Sequence, residues 1–324
     1  MAILKEEVLL FIGLFISCIS IVLAARHRDP YTPPNLKHLT DLFPRQTFNQ
    51  GFSEYFGGSN IKLKQNGSFV DLSLDKYTGS GFLSQNRYHY GFFSATMKLP
   101  SGSYTAGVVV AFYLSNADVY PRSHDEIDFE LLGHANRKPW NLQTNVYGNG
   151  SVKYTGREEK FRLWFDPTKE FHTYTIIWNA HHIVFLVDNI PIREVTYTKS
   201  MSLAYPLKPM SLYSTLWDGS DWATDGGKYK VDYKYAPFIT SFGQLQMEGC
   251  IFNNNQTKAP PPMPPGNVKG GTSSNIDPVE GEDVVKLSQE QKKGMEDVRK
   301  RFLIYSYCKD LKRYKVLPPE CNDE

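Results

Sequence analysis

The chain of 324 residues is long enough for one large domain with extensions or for two ordinary ones. Aromatic residues make up 14% of it, and 24 glycines with 20 prolines exclude a helical bundle and suit a β-sandwich with an aromatic cleft. With 36 basic against 34 acidic side chains it lacks the charge excess of a nucleic-acid binder, and a neutral polysaccharide fits better as partner.

The first element is an apolar run from Val8 to Ala25, with Val22 and Ala24 placed for signal-peptidase cleavage at about Ala24. Residues 1–24 are therefore expected to be a secretory signal peptide. Glu6 and Glu7 counter Lys5, and the run is also at the lower edge of a membrane span, so an uncleaved signal anchor at the plasma membrane stays open. Either way the folded part lies outside the cytoplasm. Residues 25–45 form a Pro-rich segment that wraps the fold or stays mobile.

The next domain, 46–248, reads as strands. Val70, Leu72 and Leu74 alternate with Asp71, Ser73 and Asp75, and a turn at Gly79 to Gly81 leads to a second strand. Thr105 to Leu114 is a nearly continuous apolar run, as in a strand buried on both faces.

The following stretch organises the chain. In His124 to Gly133, Glu126, Asp128 and Glu130 alternate with Ile127, Phe129 and Leu131, a period of two. On a β-strand the apolar side chains share one face, and His124 and the three acids share the other. A solvated acidic face is the plain reading of such alternation. Like charges held side by side also raise one another's pKa, which keeps one acid protonated while its neighbour is ionised, the division that glycoside hydrolysis needs. A retaining glycosidase places two carboxyl groups about 5–5.5 Å apart. The Cα atoms of Glu126 and Glu130 are expected about 13 Å apart, so each glutamate must lean inward by about 4 Å, with Asp128 between them to set a charge state. Geometry does not say which glutamate does which. A calcium site lacks the loop that wraps the ion, and no metal-spaced Cys/His set, P-loop or GxSxG motif occurs.

Tyr174 to Trp178 and Ile183 to Val187 flank a hairpin loop whose His181 and His182 are read as solvated, and a second turn falls at Asp188 and Asn189. Met210 to Trp217 and Tyr229 to Tyr235 continue the strand series, which points to an antiparallel sandwich. Residues 249–285, with five prolines between Ala259 and Gly266, read as a linker. In 286–324, Ser288 with Gln291 makes a capping box, and Met295, Val298, Phe302 and Tyr305 recur on one face of a helix of about four to five turns that docks on the sandwich. Asn66, Asn149 and Asn255 open glycosylation sequons. Beyond the leader the cysteines are Cys250, Cys308 and Cys321, an odd count. Cys308 and Cys321 flank a short basic loop and are the expected disulfide in an oxidising compartment.

The run His-Asp-Glu-Ile-Asp-Phe-Glu-Leu-Leu-Gly resembles the signature of the plant xyloglucan endotransglucosylase/hydrolases of glycoside hydrolase family 16, with leucine at the Leu131–Leu132 pair where the family more often has a phenylalanine. The resemblance extends over roughly residues 46–321. It implies an all-β, concanavalin-like β-jelly-roll sandwich with a C-terminal helical extension, and a catalytic set with Glu126 as nucleophile, Glu130 as general acid/base and Asp128 as helper. It also implies substrate contacts. Gln143 and Asn145 match residues that hydrogen-bond the sugar beside the nucleophile. Tyr113, Trp217 and Trp222 match sugar platforms, and Tyr305 and Arg313 match residues of the acceptor side. Lys160 stands where many members carry arginine and cannot make the two-pronged contact of a guanidinium. The family's tail implies the Cys308–Cys321 bridge as well, and Cys250 matches the first member of a further pair whose partner is missing. The usual sequon after the signature is absent, leaving Asn149 to carry the glycan.

The expected activity is cleavage of the xyloglucan backbone by a retaining double displacement and transfer to another xyloglucan chain or oligosaccharide, by a secreted monomer of the cell wall or apoplast that needs neither cofactor nor metal. Dedicated hydrolases of the family carry a longer loop beside the acceptor side, and Val146 to Gly156 is short to intermediate. The alternatives are an endo-hydrolase on the same site and a non-catalytic sugar-binding jelly roll.

Overall fold

The computed structural model describes residues 31–150, 156–252, 279 and 281–322. The leader and Asn255 lie outside the described residues. Fifteen strands occur among those described. The first eight are β1 (Phe52–Phe56), β2 (Ile61–Lys64), β3 (Phe69–Leu74), β4 (Ser80–Ser84), β5 (Arg87–Lys98), β6 (Val108–Ser115), β7 (Glu126–Leu132) and β8 (Asn141–Tyr147). They are followed by β9 (Glu159–Arg162), β10 (His172–Trp178), β11 (His182–Val187), β12 (Ile190–Thr196), β13 (Ser211–Asp218), β14 (Phe238–Phe252) and β15 (Leu303–Ser306). Two antiparallel sheets result, one ordered β1-β4-β13-β6-β7-β8-β9-β15 and the other β12-β11-β10-β5-β14-β3-β2. The fold is the expected jelly-roll sandwich.

Alternation of apolar and polar residues decides which face of each strand looks inward. On β7, Ile127, Phe129 and Leu131 are fully buried, and the Phe129 ring meets Tyr174 and Phe185 of the opposite sheet edge-on, at 5.8 and 5.1 Å. Val70, Leu72 and Leu74 of β3 fill the same inter-sheet layer. Two residues, Asp188 and Asn189, join β11 to β12, and both take positive φ (49° and 62°), the conformation that a tight hairpin turn requires and that Asp and Asn tolerate.

Three expectations need correction. Tyr229 to Tyr235 is not a strand. Its backbone is tied to side chains, the Val231 amide to Ser220 Oγ and the Lys234 amide to Asp232, and a short 3₁₀ turn spans Tyr233–Tyr235. The helix ends at Phe302, so Tyr305 lies not on it but on β15, where the chain turns extended to pair with β9 and close that edge of the sheet. His182 is not solvated. It opens β11 and is buried, with Nδ1 against the Glu194 carboxylate at 2.6 Å and Nε2 against the Val284 carbonyl at 2.8 Å, whereas His181 is exposed.

The helix, Gln289–Phe302, starts at the expected capping box: the Gln291 amide donates to Ser288 Oγ and the Ser288 amide to Gln291 Oε1. Its Gly294 has a packing reason, since a Cβ there would come within 3.2 Å of Pro34 Cγ. From Pro34 onward the Pro-rich segment wraps the fold. The Leu39 amide donates to Asn189 Oδ1, Gln246 Nε2 donates to the Thr40 and Phe43 carbonyls, and the Phe43 ring lies 4.4 Å from Phe92. Cys308 and Cys321 form the disulfide. Cys250 lies on β14 opposite His89 and outside that bridge.

Because Phe129 fixes the β7 register against both β10 and β11, truncating it should cost about 3–5 kcal/mol. Urea unfolding of Phe129→Ala followed by far-UV circular dichroism measures this, and a loss below about 1 kcal/mol would show that the register rests elsewhere.

Candidate active site

The face of β7 that the core rejects carries the three carboxylates, and strand pairing decides what surrounds them. On one side Tyr113 of β6 pairs with Asp128, and Tyr213 of β13 pairs with Tyr113. On the other side β8 sets Tyr147 opposite Glu126, Asn145 opposite Asp128 and Gln143 opposite Glu130. Lys160 of β9 pairs with Gln143, and Tyr305 of β15 with Lys160. The chain thus brings Glu126, Asp128, Glu130, Tyr113, Gln143, Asn145, Lys160 and Tyr305 onto one face.

The start of β7 is anchored from its other face. Asp125 is buried, its carboxylate accepts from the amides of Asn149, Leu207 and Lys208, and it meets Lys208 Nζ at 2.5 Å. This four-point clamp leaves Glu126 little freedom to slide along the strand.

Each acid has its own environment. Gln143 Nε2 donates to Glu130 Oε2 at 2.5 Å, and the Tyr147 hydroxyl donates to Glu126 Oε1 at 2.6 Å. Asp128 is 5% exposed and hydrogen-bonds Glu126. Burial raises its pKa well above the ordinary carboxylate range, and the charges of Glu126 and Glu130 push the same way. Burial likewise pushes Glu130 up to about 7; the Gln143 bond opposes the rise and the Glu126 charge adds to it. A protonated Asp128 is therefore the donor in its bond to Glu126. The arrangement holds one neutral acid between two glutamates, one of which keeps its proton to near neutrality.

The remaining predicted residues are more scattered. Asn145 is buried, and its side-chain oxygen is taken by the amides of Val146 and Arg157, so that oxygen serves the fold. Lys160 Nζ stands over the Tyr305 ring at 5.8 Å. The Arg313 fork is engaged by Glu158, at 2.7 and 3.1 Å, and touches the Tyr305 hydroxyl at 3.5 Å. Trp217 lies in the row of Val109 and Leu132, next along the strands from that of Glu130, where it packs on Val109, Leu132 and Ala223, and its ring lies 6.1 Å from that of Trp222. Asn66 and Asn149 are exposed.

Sequence reasoning missed four groups. Tyr147 continues the parity of Gln143 and Asn145 on β8, a signal that was present and unused. Tyr213 stacks on Tyr113 at 5.0 Å with 13° between the rings, and Tyr55 meets Tyr213 edge-on at 5.2 Å. Tyr55 occupies a bulge between Glu54 and Phe56 on the edge strand β1, and no local pattern announces a bulge. Glu158, whose charge reaches Asp128 and Glu130, lies just before β9 with no pattern to mark it.

The sequence profile of glycosyl hydrolases family 16 matches residues 48–235. The chain belongs to that family. A second profile, the C-terminus of xyloglucan endo-transglycosylases, matches residues 275–321. Among curated relatives, a probable xyloglucan endotransglucosylase/hydrolase protein 30 of Arabidopsis thaliana is 48% identical over 275 residues, 85% of this chain and 77% of its own. Xyloglucan endotransglucosylase/hydrolase protein 31 of the same plant is 38% identical over 97% of this chain and 99% of its own. Xyloglucan endotransglucosylase protein 2 of Diospyros kaki is 38% identical over 96% of each chain. Within family 16 the protein is thus a xyloglucan endotransglucosylase/hydrolase family member. Among solved structures, the endo-β-1,3-glucanase of Pyrococcus furiosus superposes with a TM-score of 0.51 at 17% identity over 64% of this chain and 90% of its own. A Crh5 transglycosylase in complex with NAG gives 0.51 at 23% identity over 62% and 79%. Both likenesses carry the sandwich fold.

The raised pKa of Glu130 has a stability consequence for this family 16 fold. Folded, the group keeps its proton to higher pH than in the unfolded chain, so the cost of ionising it is absent at low pH and is fully felt only above about 7. Glu130→Gln removes that cost and keeps an acceptor for Gln143. Relative to the parent protein, the variant should gain about 1–3 kcal/mol in stability between about pH 4.5 and pH 8. Thermal unfolding across that range checks it, and a variant that loses ground as pH rises contradicts the environment described for Glu130.

Proposed function

We propose that this chain is a xyloglucan endotransglucosylase that cuts the β-1,4-glucan backbone of xyloglucan and joins the fragment to another xyloglucan chain, in the building and remodelling of plant cell walls. The observation that carries the reading is the division of labour along β7: Asp128 buried, neutral and bonded to Glu126, beside a Glu130 that holds its proton to about 7. Glu126 attacks the anomeric carbon as its carboxylate while Glu130 protonates the departing glucan oxygen, which yields a glycosyl ester on Glu126. Glu130, now ionised, takes the proton from an acceptor hydroxyl, which attacks the same carbon and releases Glu126.

The surface to either side suits a long polymer. The rings of Tyr113, Tyr213 and Tyr55 run crosswise from beside β7 toward the edge strand in successive contacts of 5.0 and 5.2 Å, so that Tyr113 and the exposed Tyr55 offer aromatic surface to a donor chain with the buried Tyr213 ring held between them. Lys160, Tyr305 and Arg313 extend the opposite, acceptor side, with Arg313 acting through Glu158 and Tyr305. Trp217 and Trp222 add aromatic surface beyond Leu132. An acceptor held there competes with water through effective molarity, which favours transfer over hydrolysis. Exposed sequons at Asn66 and Asn149 and a disulfide support a secreted protein of the wall space.

Incubating the protein with xyloglucan, with and without labelled xyloglucan oligosaccharides, tests the reading. Oligosaccharide should speed the loss of polymer size and become incorporated, while xyloglucan alone yields few new reducing ends; steady reducing-sugar release independent of acceptor would make the enzyme a hydrolase.

Variants of the two glutamates should separate their roles. Glu126→Gln should lose about 10³-fold or more in turnover while remaining folded. Glu130→Gln should lose about 10²–10⁴-fold on xyloglucan and recover on a donor whose leaving group needs no proton. Parent activity should fall as pH rises through about 7, when Glu130 loses its proton. Full turnover by Glu126→Gln would sink the assignment.

A further inference from the structure

We propose that Tyr147 positions the nucleophile Glu126 and, through its hydroxyl, speeds breakdown of the glycosyl-enzyme rather than its formation. The inference rests on Glu126 being the nucleophile. Tyr147 pairs with Glu126 across β7 and β8, is 6% exposed, and donates its one hydroxyl proton to Glu126 Oε1 at 2.6 Å. His124 closes the group: its Nε2 lies 3.0 Å from the Tyr147 oxygen and 3.9 Å from Glu126 Oε2, and the two rings meet edge-on at 5.2 Å. Since the phenol proton is committed to the carboxylate, the hydroxyl oxygen can only accept from His124, which must carry its proton on Nε2. Nδ1 of His124 is buried with no hydrogen-bond partner among the described residues, so a proton there would have no acceptor. The neutral Nε2–H form therefore fixes the Tyr147 hydroxyl on Glu126.

The two chemical steps use this bond in opposite senses. When Glu126 attacks, its negative charge is lost to the new C–O bond, so the hydrogen bond from Tyr147 weakens and opposes the step. When an acceptor oxygen attacks the anomeric carbon, the C–O bond to Glu126 breaks, its electron pair returns to the carboxylate, and the acceptor proton passes to Glu130. Charge grows on Glu126 in this second step, and a donor already aimed at Oε1 inside a largely buried site strengthens as it grows. Tyr147 thus shifts the balance toward release of the intermediate to the acceptor.

Pre-steady-state kinetics with an aryl glycoside of a xyloglucan oligosaccharide, whose phenolate leaves without a proton, separates the steps. Without acceptor the parent enzyme should release one phenolate per site in a burst that reads ester formation, followed by a slower steady rate that reads ester breakdown, with the ester visible by intact mass. In Tyr147→Phe, which keeps the ring against His124, the burst should be as fast or faster while the steady rate falls about 10–100-fold and added acceptor restores it only in part. His124→Ala should show the same pattern with a smaller fall. A parent enzyme that forms no ester on Glu126 overturns the nucleophile assignment on which this rests. A parent burst with an unchanged steady rate in Tyr147→Phe, or an equal fall in both phases, overturns the role of Tyr147 alone.

Discussion

The site depends on the burial of Ile127, Phe129 and Leu131 between two sheets. A strand cannot bury every second side chain without presenting the others to the opposite side, and here the others are acids. A slip of one residue would drive Glu126, Asp128 and Glu130 into the inter-sheet layer, where an unpaired carboxylate is far costlier than the slip could gain. Neighbouring strands are locked to β7 by backbone hydrogen bonds, so Tyr113, Gln143, Tyr147 and, one strand further, Lys160 inherit their positions from the same constraint. The core works as a jig for the chemistry.

The crowding of like charges that results is moderated by protons and hydrogen bonds rather than by buried cations. Glu158 adds a fourth carboxylate, answered by Arg313 at the edge, and Lys160 lowers the pKa of Glu130 only as a minor influence. Where the fold needs a buried charge for architecture it uses another device: Glu159, directed to the opposite face of β9, is gripped by the Arg299 fork and lies near Arg193, and its pKa falls as a result even though burial opposes it. Neighbouring glutamates, Glu158 and Glu159, thus meet opposite requirements because successive side chains on an extended chain face opposite ways.

Much of this was legible from local pattern. The period of two at Glu126 to Leu131, the capping box at Ser288 and Gln291, the Asp188–Asn189 turn and the spacing of Cys308 and Cys321 are all encoded within a few residues, and each is present in the structure. What failed was non-local. Tyr229, Val231, Tyr233 and Tyr235 alternate as a strand does, but no strand among the described residues pairs with them, and Ser220 and Asp232 accept from the Val231 and Lys234 amides instead. Tyr305 fits the helical spacing of Val298 and Phe302, yet the free edge of β9 outcompetes one more turn of helix. The Nε2 of His182 meets the Val284 carbonyl, about a hundred residues later in the chain, a contact that no local pattern announces. The bulge that turns Tyr55 onto Tyr213 likewise depends on pairing with β4.

The closing of the carboxylate-bearing sheet by β15 ties assembly to the order of synthesis. Its central strands are made early, but the strand that covers the edge of β9 and sets Tyr305 beside Lys160 leaves the ribosome after every other described strand. Until then the nascent sheet has an open edge, able to pair with another emerging chain, and the proposed acceptor wall lacks its outer side. A polypeptide cut short before Leu303 would retain the three acids and most of the core while lacking that wall, so natural truncation would yield a protein that keeps its carboxylates and loses the surface proposed for the acceptor.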